Sequence, residues 1–234
     1  MKAGLALFAA VMTGVGILDA QTTDNRPGIA VLAFENGGSY GREREDYEAL
    51  RRGIAGILIG ELGQNPNVRL VERAEAQRIL DEQSLGAAGR VDRETAARVG
   101  RMVGARYMIT GTFIDLYGEF RLDARVIDVE TGVILKSVSN DPKIREIKEL
   151  YRIIQSLASR IVTETKLPTL PPSSGRPPVR VVPTEALTLY SKALLYEDTG
   201  NKAKAIEFYE AALKAFPDFT EAKEGLRKAK GSGT

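Results

Sequence analysis

The sequence predicts an α/β fold, a sandwich of a mixed or mostly antiparallel sheet with packed helices, followed by a small all-α helical hairpin with a capping helix. Three observations carry this. Short runs rich in β-branched and apolar residues alternate with longer segments whose apolar residues recur every three or four positions. A proline-rich stretch, with Pro168, Pro171, Pro172, Pro177, Pro178 and Pro183, then interrupts the chain over residues 168–183, where neither a helix nor a central strand can form. Beyond it, residues 184–230 carry helical spacing alone.

The elements follow in order. Met1 to Ala20 read as a secretion signal, with Lys2 as the positive end and an apolar stretch from Ala3 to Leu18 too short to span a membrane comfortably. Cleavage after Ala20 starts the mature chain at Gln21; Leu18 is large for the position three before the cut, so retention as an anchor stays open. Residues 27–167 form the α/β domain. Ile29 to Phe34 is its first strand, and Tyr47, Leu50, Ile54, Ile57, Leu58 and Leu62 stripe the helix that follows, which ends at Asn65-Pro66. Val68 to Val71 is a short strand. A helix with Ala76, Ile79, Leu80 and Gln83 comes next, broken by Leu85 to Gly89, and Asp92 caps a second helix that stops at Gly104. Tyr107 to Phe113 is the next strand. Phe120, Leu122, Ala124 and Val126 alternate with charged residues, the signature of a half-buried strand with one wet face. Glu130-Thr131-Gly132 turns the chain into Val133-Ile134-Leu135. Ile144, Ile147, Leu150, Ile154, Leu157, Ala158 and Ile161 mark a last long helix that packs on the sheet.

Five segments in order, Val31 to Asn36, Leu70 to Arg73, Ile79 to Gly86, Val103 to Phe113 and Arg125 to Leu135, resemble the CsgG family of curli-assembly proteins over roughly residues 27 to 165. The resemblance implies an envelope protein of secretion or assembly, and channel members of the family insert long amphipathic strands into this domain. A membrane hairpin needs two strands of about 9–11 residues. At the first expected place the chain offers only the tight turn of Asp115 to Phe120, and at the second Ser139 to Pro142 leads straight into a helix. There is also no cysteine for lipidation. The domain is therefore expected in the periplasm, associated with the outer membrane through partners if at all, and not as a pore. Lipoprotein activators of penicillin-binding proteins share this architecture. They offer a second reading, a regulator of a peptidoglycan synthase, which the short Gln21 to Gly28 lead-in disfavours.

After the proline-rich stretch, Leu189, Ala193, Tyr196, Ala205, Tyr209, Ala212 and Pro217 fall on the pattern of a tetratricopeptide repeat, with Gly200 at the interhelical turn. A third helix from Asp218 to Lys230 caps the pair. A solenoid normally needs about three repeats, so one repeat must dock or associate. The repeat's register places Leu187, Tyr190, Leu194 and Glu197 on its concave face, where an apolar partner segment is expected to bind. The alternative is that this face is buried against the α/β domain or a second copy. The spacer predicts two separable parts, cut first near Arg176 or Arg180.

Composition excludes several functions. With 33 basic and 31 acidic residues the formal charge is +2, and Arg90, Arg93, Arg98, Arg101 and Arg106 are interleaved with Asp92 and Glu94, which reads as a solvated helix face and not as a nucleic-acid surface. Without cysteine or histidine the chain has no thiolate zinc site, no disulfide and no imidazole base. The loop Glu35 to Gly41 lacks the lysine of a phosphate loop. Asp115, Glu119, Asp123 and Asp128 read as a solvated strand face, with Asp123 paired to Arg121 or Arg125 and Asp128 opening a turn. No catalytic, metal or cofactor site is expected. What remains is an interaction protein with protein partners in the cell envelope and a possible homo-oligomer.

Overall fold

The computed structural model describes residues 24–82, 91–165, 167–169 and 180–231. The expected signal at 1–20, Gln83, the break at Leu85 to Gly89, Arg90 and Arg176 lie outside the described residues.

The elements are β1 (Gly28–Val31), β2 (Glu35–Asn36), α1 (Arg44–Leu62), β3 (Arg69–Leu70), α2 (Arg73–Glu82), α3 (Arg93–Met102), β4 (Tyr107–Leu116), β5 (Glu119–Asp128), β6 (Ile134–Ser139), a 3-10 turn (Ile147–Glu149), α4 (Leu150–Glu164), α5 (Thr184–Asp198), α6 (Lys202–Ala215) and α7 (Thr220–Lys230). The sheet is mixed, in the order β3-β1-β4-β5-β6, with β2 beside the far end of β4. β1 runs parallel to β3 and β4, whereas β4, β5 and β6 are antiparallel. From β1 the chain moves outward to β3 and then back across to β4. Crossovers in opposite directions place α1 on one face and α2 with α3 on the other.

The two faces bury different residues. Ile29, Val31, Ile109, Phe113, Leu122 and Val126 meet α1 and α4, while Ala30, Leu32, Met108 and Ile127 meet α2 and α3. All six residues of the expected α1 stripe are buried. Asp92 caps α3 as expected, its carboxylate accepting from the Thr95 amide at 2.7 Å. Gly104 reverses the chain after α3 with φ +64°, a backbone region that disfavours side chains with a Cβ.

Two expectations about the second half of the domain change. The last helix begins at Leu150, not near Ile144, because residues 140–147 first return to the β4–β5 turn: the Phe120 amide donates to Arg145 O at 2.6 Å and the Ile147 amide to Gly118 O at 2.8 Å. Asn140 starts this detour. Its amide donates to Leu122 O, and its side-chain oxygen accepts from Leu122 N at 2.8 Å, so a side chain completes the ladder that β6 leaves. The strand expected at Val133 to Leu135 is longer, starts at Ile134, and leaves Val133 and Ile134 exposed on the sheet edge.

The separability of the helical unit is also revised. Ala186, Leu187, Tyr190, Ala193 and Leu194 of α5 share one continuous core with α1, α4 and the sheet. The reason is written on α1, where Gly53, Gly56 and Gly60 recur at helical spacing on the side opposite the sheet. A Cβ on Gly53 would overlap the Ser191 hydroxyl and one on Gly56 would lie 2.6 Å from that of Tyr190. Only glycine lets α5 approach this closely.

These contacts predict opposite outcomes for the same substitution at two positions of one helix. Gly53→Ala inserts a methyl into the α1–α5 contact and should cost about 1–3 kcal/mol. At Gly60 the nearest atoms are the flexible end of Glu221, so Gly60→Ala should be neutral or gain up to about 1 kcal/mol from helix propensity. Urea unfolding midpoints of the two variants check this, and a nicked protein should stay in one piece on size exclusion.

Candidate functional site

Three of the four residues expected on the concave face of the repeat are not open to an apolar segment. Leu187 is completely buried, and Tyr190 and Leu194 are each 5% exposed because α1 of the same chain fills the face. Intramolecular docking wins here because it needs no association entropy, whereas a separate partner segment must offset several kcal/mol of lost freedom. Glu197 alone stays half-exposed. Its Oε2 accepts from the Tyr209 hydroxyl at 2.9 Å and stands 3.6 Å from the Arg73 guanidinium.

Ion pairs fasten the rim of this contact. Arg73, at the start of α2, donates to Asp198 Oδ2 at 2.8 Å, and Arg52 of α1 donates to the same oxygen at 2.8 Å. Burial opposes the charge on Arg73, but its hydrogen bond to Asp198 and the charge there outweigh burial and raise its pKa. On the other side Arg180 joins Glu61 of α1 at 3.3 Å to Glu221 of α7 at 2.9 Å, while its guanidinium lies 5.6 Å from the centre of the Tyr151 ring. The Tyr151 hydroxyl donates to Glu61 at 2.7 Å, and burial together with that carboxylate holds its pKa above the phenolic range. Between the two clusters a cavity of about 450 Å³ opens, lined in part by Gly56, Arg73, Tyr190, Tyr209, Glu224 and Lys228.

A compact exposed apolar patch lies at the β4–β5 turn. β4 and β5 are closed by Tyr117-Gly118, both with positive φ (55° and 97°), the two-residue hairpin turn whose twist matches that of the strands. Tyr117 is 85% exposed, next to Leu116 at 51% and Tyr40 at 61%, and Tyr40 bridges to Leu116 as an added strand residue. Asp115 holds this turn from within. It is buried, not part of a solvated face, and accepts from Gly118 N at 2.8 Å and the Tyr47 hydroxyl at 3.3 Å, with Arg42 at 3.4 Å. Asp123 does pair with Arg121, and Asp128 with Arg106. In the loop after β1 four successive amides are already taken: Gly37 N and Tyr40 N donate to Phe113 O and Asp115 O, and Gly38 N and Ser39 N donate to Asn36. Sequence reasoning read Asp115 to Phe120 only as a tight turn. The missed signal was Leu116-Tyr117, two large apolar residues at a turn where small polar ones are usual.

Among the described residues no group of three or more acidic, histidine or cysteine side chains could hold a metal, and no helix is long and apolar enough to cross a membrane. Residues 12–119 match the family of the curli production assembly/transport component CsgG, and residues 186–219 match the tetratricopeptide repeat. The chain thus carries an N-terminal CsgG-like domain and a C-terminal tetratricopeptide repeat. No curated protein sequence matches it. Among solved structures it is similar to the LpoB C-terminal domain from Salmonella enterica, with 24% identity over 49% of this chain and 80% of that one and a TM-score of 0.32. E. coli LpoB, solved by NMR, is 21% identical over 49% of this chain and 56% of its own length, with a TM-score of 0.38. The PelC dodecamer from Paraburkholderia phytofirmans is 14% identical over 62% of this chain and 91% of that one, with a TM-score of 0.35.

The buried Arg73–Asp198 pair gives a stability prediction. Arg73→Met leaves Asp198 with Arg52 alone and should cost about 3 kcal/mol, the lower end for breaking a buried pair. Adding Asp198→Asn should recover part of that loss, and a double-mutant cycle in urea measures the coupling.

Proposed function

We propose that this protein is a non-catalytic interaction protein of the periplasm that regulates a protein partner of the cell envelope, in the way an LpoB-like activator regulates a peptidoglycan synthase, and that it forms no secretion channel. The observation that carries this reading is the hairpin end of the sheet. Channel members of the CsgG family insert membrane strands there, and this chain instead closes β4 to β5 with two residues and ties residues 145–147 back onto the turn. What the turn presents is Tyr117 with Leu116 and Tyr40, a compact exposed aromatic and aliphatic patch of the kind that anchors protein interfaces. The helical repeat supports the reading indirectly. Its concave face is spent on α1, so it stiffens the domain and leaves recognition to the sheet end.

A second reading keeps the assembly role through oligomerisation, and β6 favours it. This edge strand has no neighbour on its outer side in the described sheet order and exposes Val133 and Ile134 at its start. Lys136 in its centre is the kind of residue that blunts such edges.

The patch predicts a specific outcome. Tyr117→Gly suits the positive φ, so the variant should keep its melting temperature while losing about tenfold or more in partner affinity, as expected for a hot-spot aromatic. In-cell crosslinking through a photoreactive residue at Tyr117 identifies the partner, and attachment to a wall synthase supports the regulator reading. Crosslinking only to other copies of this chain would favour the oligomer, and stepwise conductance in planar bilayers would overturn both.

A further inference from the structure

We propose that the cavity between α1, the start of α2 and the helical unit is a binding site for an organic cation, an alkylammonium or guanidinium group held by Tyr190 and the glutamates around it. The cavity holds about 450 Å³, and Ile59, Leu70 and Leu194 provide apolar wall for a short carbon chain. Gly56 and Gly60 form its floor, and a side chain at Gly56 would reach the Tyr190 hydroxyl.

Two independent observations point to a ligand of this charge. The Tyr190 ring is almost entirely buried, yet its hydroxyl, which faces this cavity, makes no hydrogen bond to any described residue. The hydroxyl is left to the open space of the cavity, where a bound group can reach it. Around it the carboxylates outnumber the cations. Glu72, Glu197, Glu221 and Glu224 line the cavity against Arg73 and Lys228. Just behind them Asp198 and Glu61 face Arg52 and Arg180. Six acids thus stand against four bases in a partly dehydrated space. The potential is felt at Tyr190. Burial is the main cause that raises its pKa, Arg73 opposes the rise, and Glu221, Glu197 and Glu224 add to it. A cation would donate to the Tyr190 hydroxyl oxygen, share the carboxylates and lie against the Tyr190 and Tyr209 rings.

Lys228 makes the proposal sharply testable. Its ammonium already bridges Glu72 at 3.0 Å and Glu224 at 3.3 Å from the cavity rim, so it competes with any incoming cation. Isothermal titration of the full chain should show binding of pentane-1,5-diamine, of arginine methyl ester and of an acetylated Gly-Lys-Gly peptide amide, but not of glutarate or pentane-1,5-diol. Tyr190→Phe should weaken binding about tenfold, the worth of a hydrogen bond to a charged group. Lys228→Met should strengthen it about threefold, a gain that misfolding cannot produce. Tighter binding of the peptide identifies a partner's side chain as the natural source, and tighter binding of the diamine identifies a free amine. Equal binding of the diol or glutarate, no binding of any cation, or no change in both variants would overturn the site.

Discussion

Helix α1 has to be covered on two sides, and most of this architecture follows from that. Tyr47, Leu50, Ile54, Ile57 and Leu58 bury one side in the sheet, and the opposite side is a seam of Gly53, Gly56 and Gly60 that offers backbone instead of side chains. Exposed glycines in the middle of a helix cost roughly 1 kcal/mol each relative to alanine and gain nothing. Covered by α5 they become useful, because the close approach lets Tyr190, Ser191 and Leu194 pack directly on the α1 backbone. A single tetratricopeptide repeat, which lacks the neighbouring repeats that bury its faces in a solenoid, finds that neighbour in α1.

The polar groups at the edge of this contact then determine its register. Apolar packing is tolerant of small slides, but Asp198 must meet both Arg52 and Arg73, and Arg180 must meet both Glu61 and Glu221. Arg73 matters further because it begins α2 directly after β3, so the sheet edge, α2 and the helical unit are joined through one guanidinium. Arg180 does the same from the end of the proline-rich stretch. Such pairs are modest contributors to net stability, since desolvation offsets much of their attraction, and their main effect is to disfavour misaligned packings.

How much of this was legible in the sequence depends on whether the signal was local. The α1 stripe, the Asp92 cap, the alternation of Phe120 to Val126 and the order of strands and helices could be read because periodicity and capping are local properties. Periodicity reports that a residue is buried without saying by what. The spacing puts Leu187, Tyr190 and Leu194 on one face of α5, to be filled by a partner segment, by the α/β domain or by a second copy, and it is α1 that fills it. The glycine seam was visible at 53, 56 and 60 and was not used, although three glycines on one helix face ask for a close neighbour. Ile144 and Ile147 fitted a helical stripe by spacing alone. The backbone bonds that draw residues 145–147 to the β4–β5 turn join positions some twenty-five residues or more apart, beyond any window that measures periodicity. Asp115 looked like a solvated carboxylate for the same reason, since its partners Tyr47 and Arg42 come from a distant element.

Helix α1 touches both surfaces of interest. Near one end Tyr47 bonds to Asp115 beneath the exposed hairpin, and toward the other Gly56 and Gly60 floor the acidic cavity. The distance along the helix is about 1.5 Å per residue, so the two lie roughly 14–20 Å apart on one rigid rod. A rod that is packed on both sides transmits a signal only if it has a second stable arrangement, because a ligand shifts an equilibrium by no more than its differential affinity for two states. The glycine seam fits α5 in one position: a slide of one residue would bring Ala55 or Ile57 under Tyr190 in place of Gly56. The seam that makes the chain one body therefore also insulates its ends, and occupancy of the cavity should leave recognition at the hairpin unchanged.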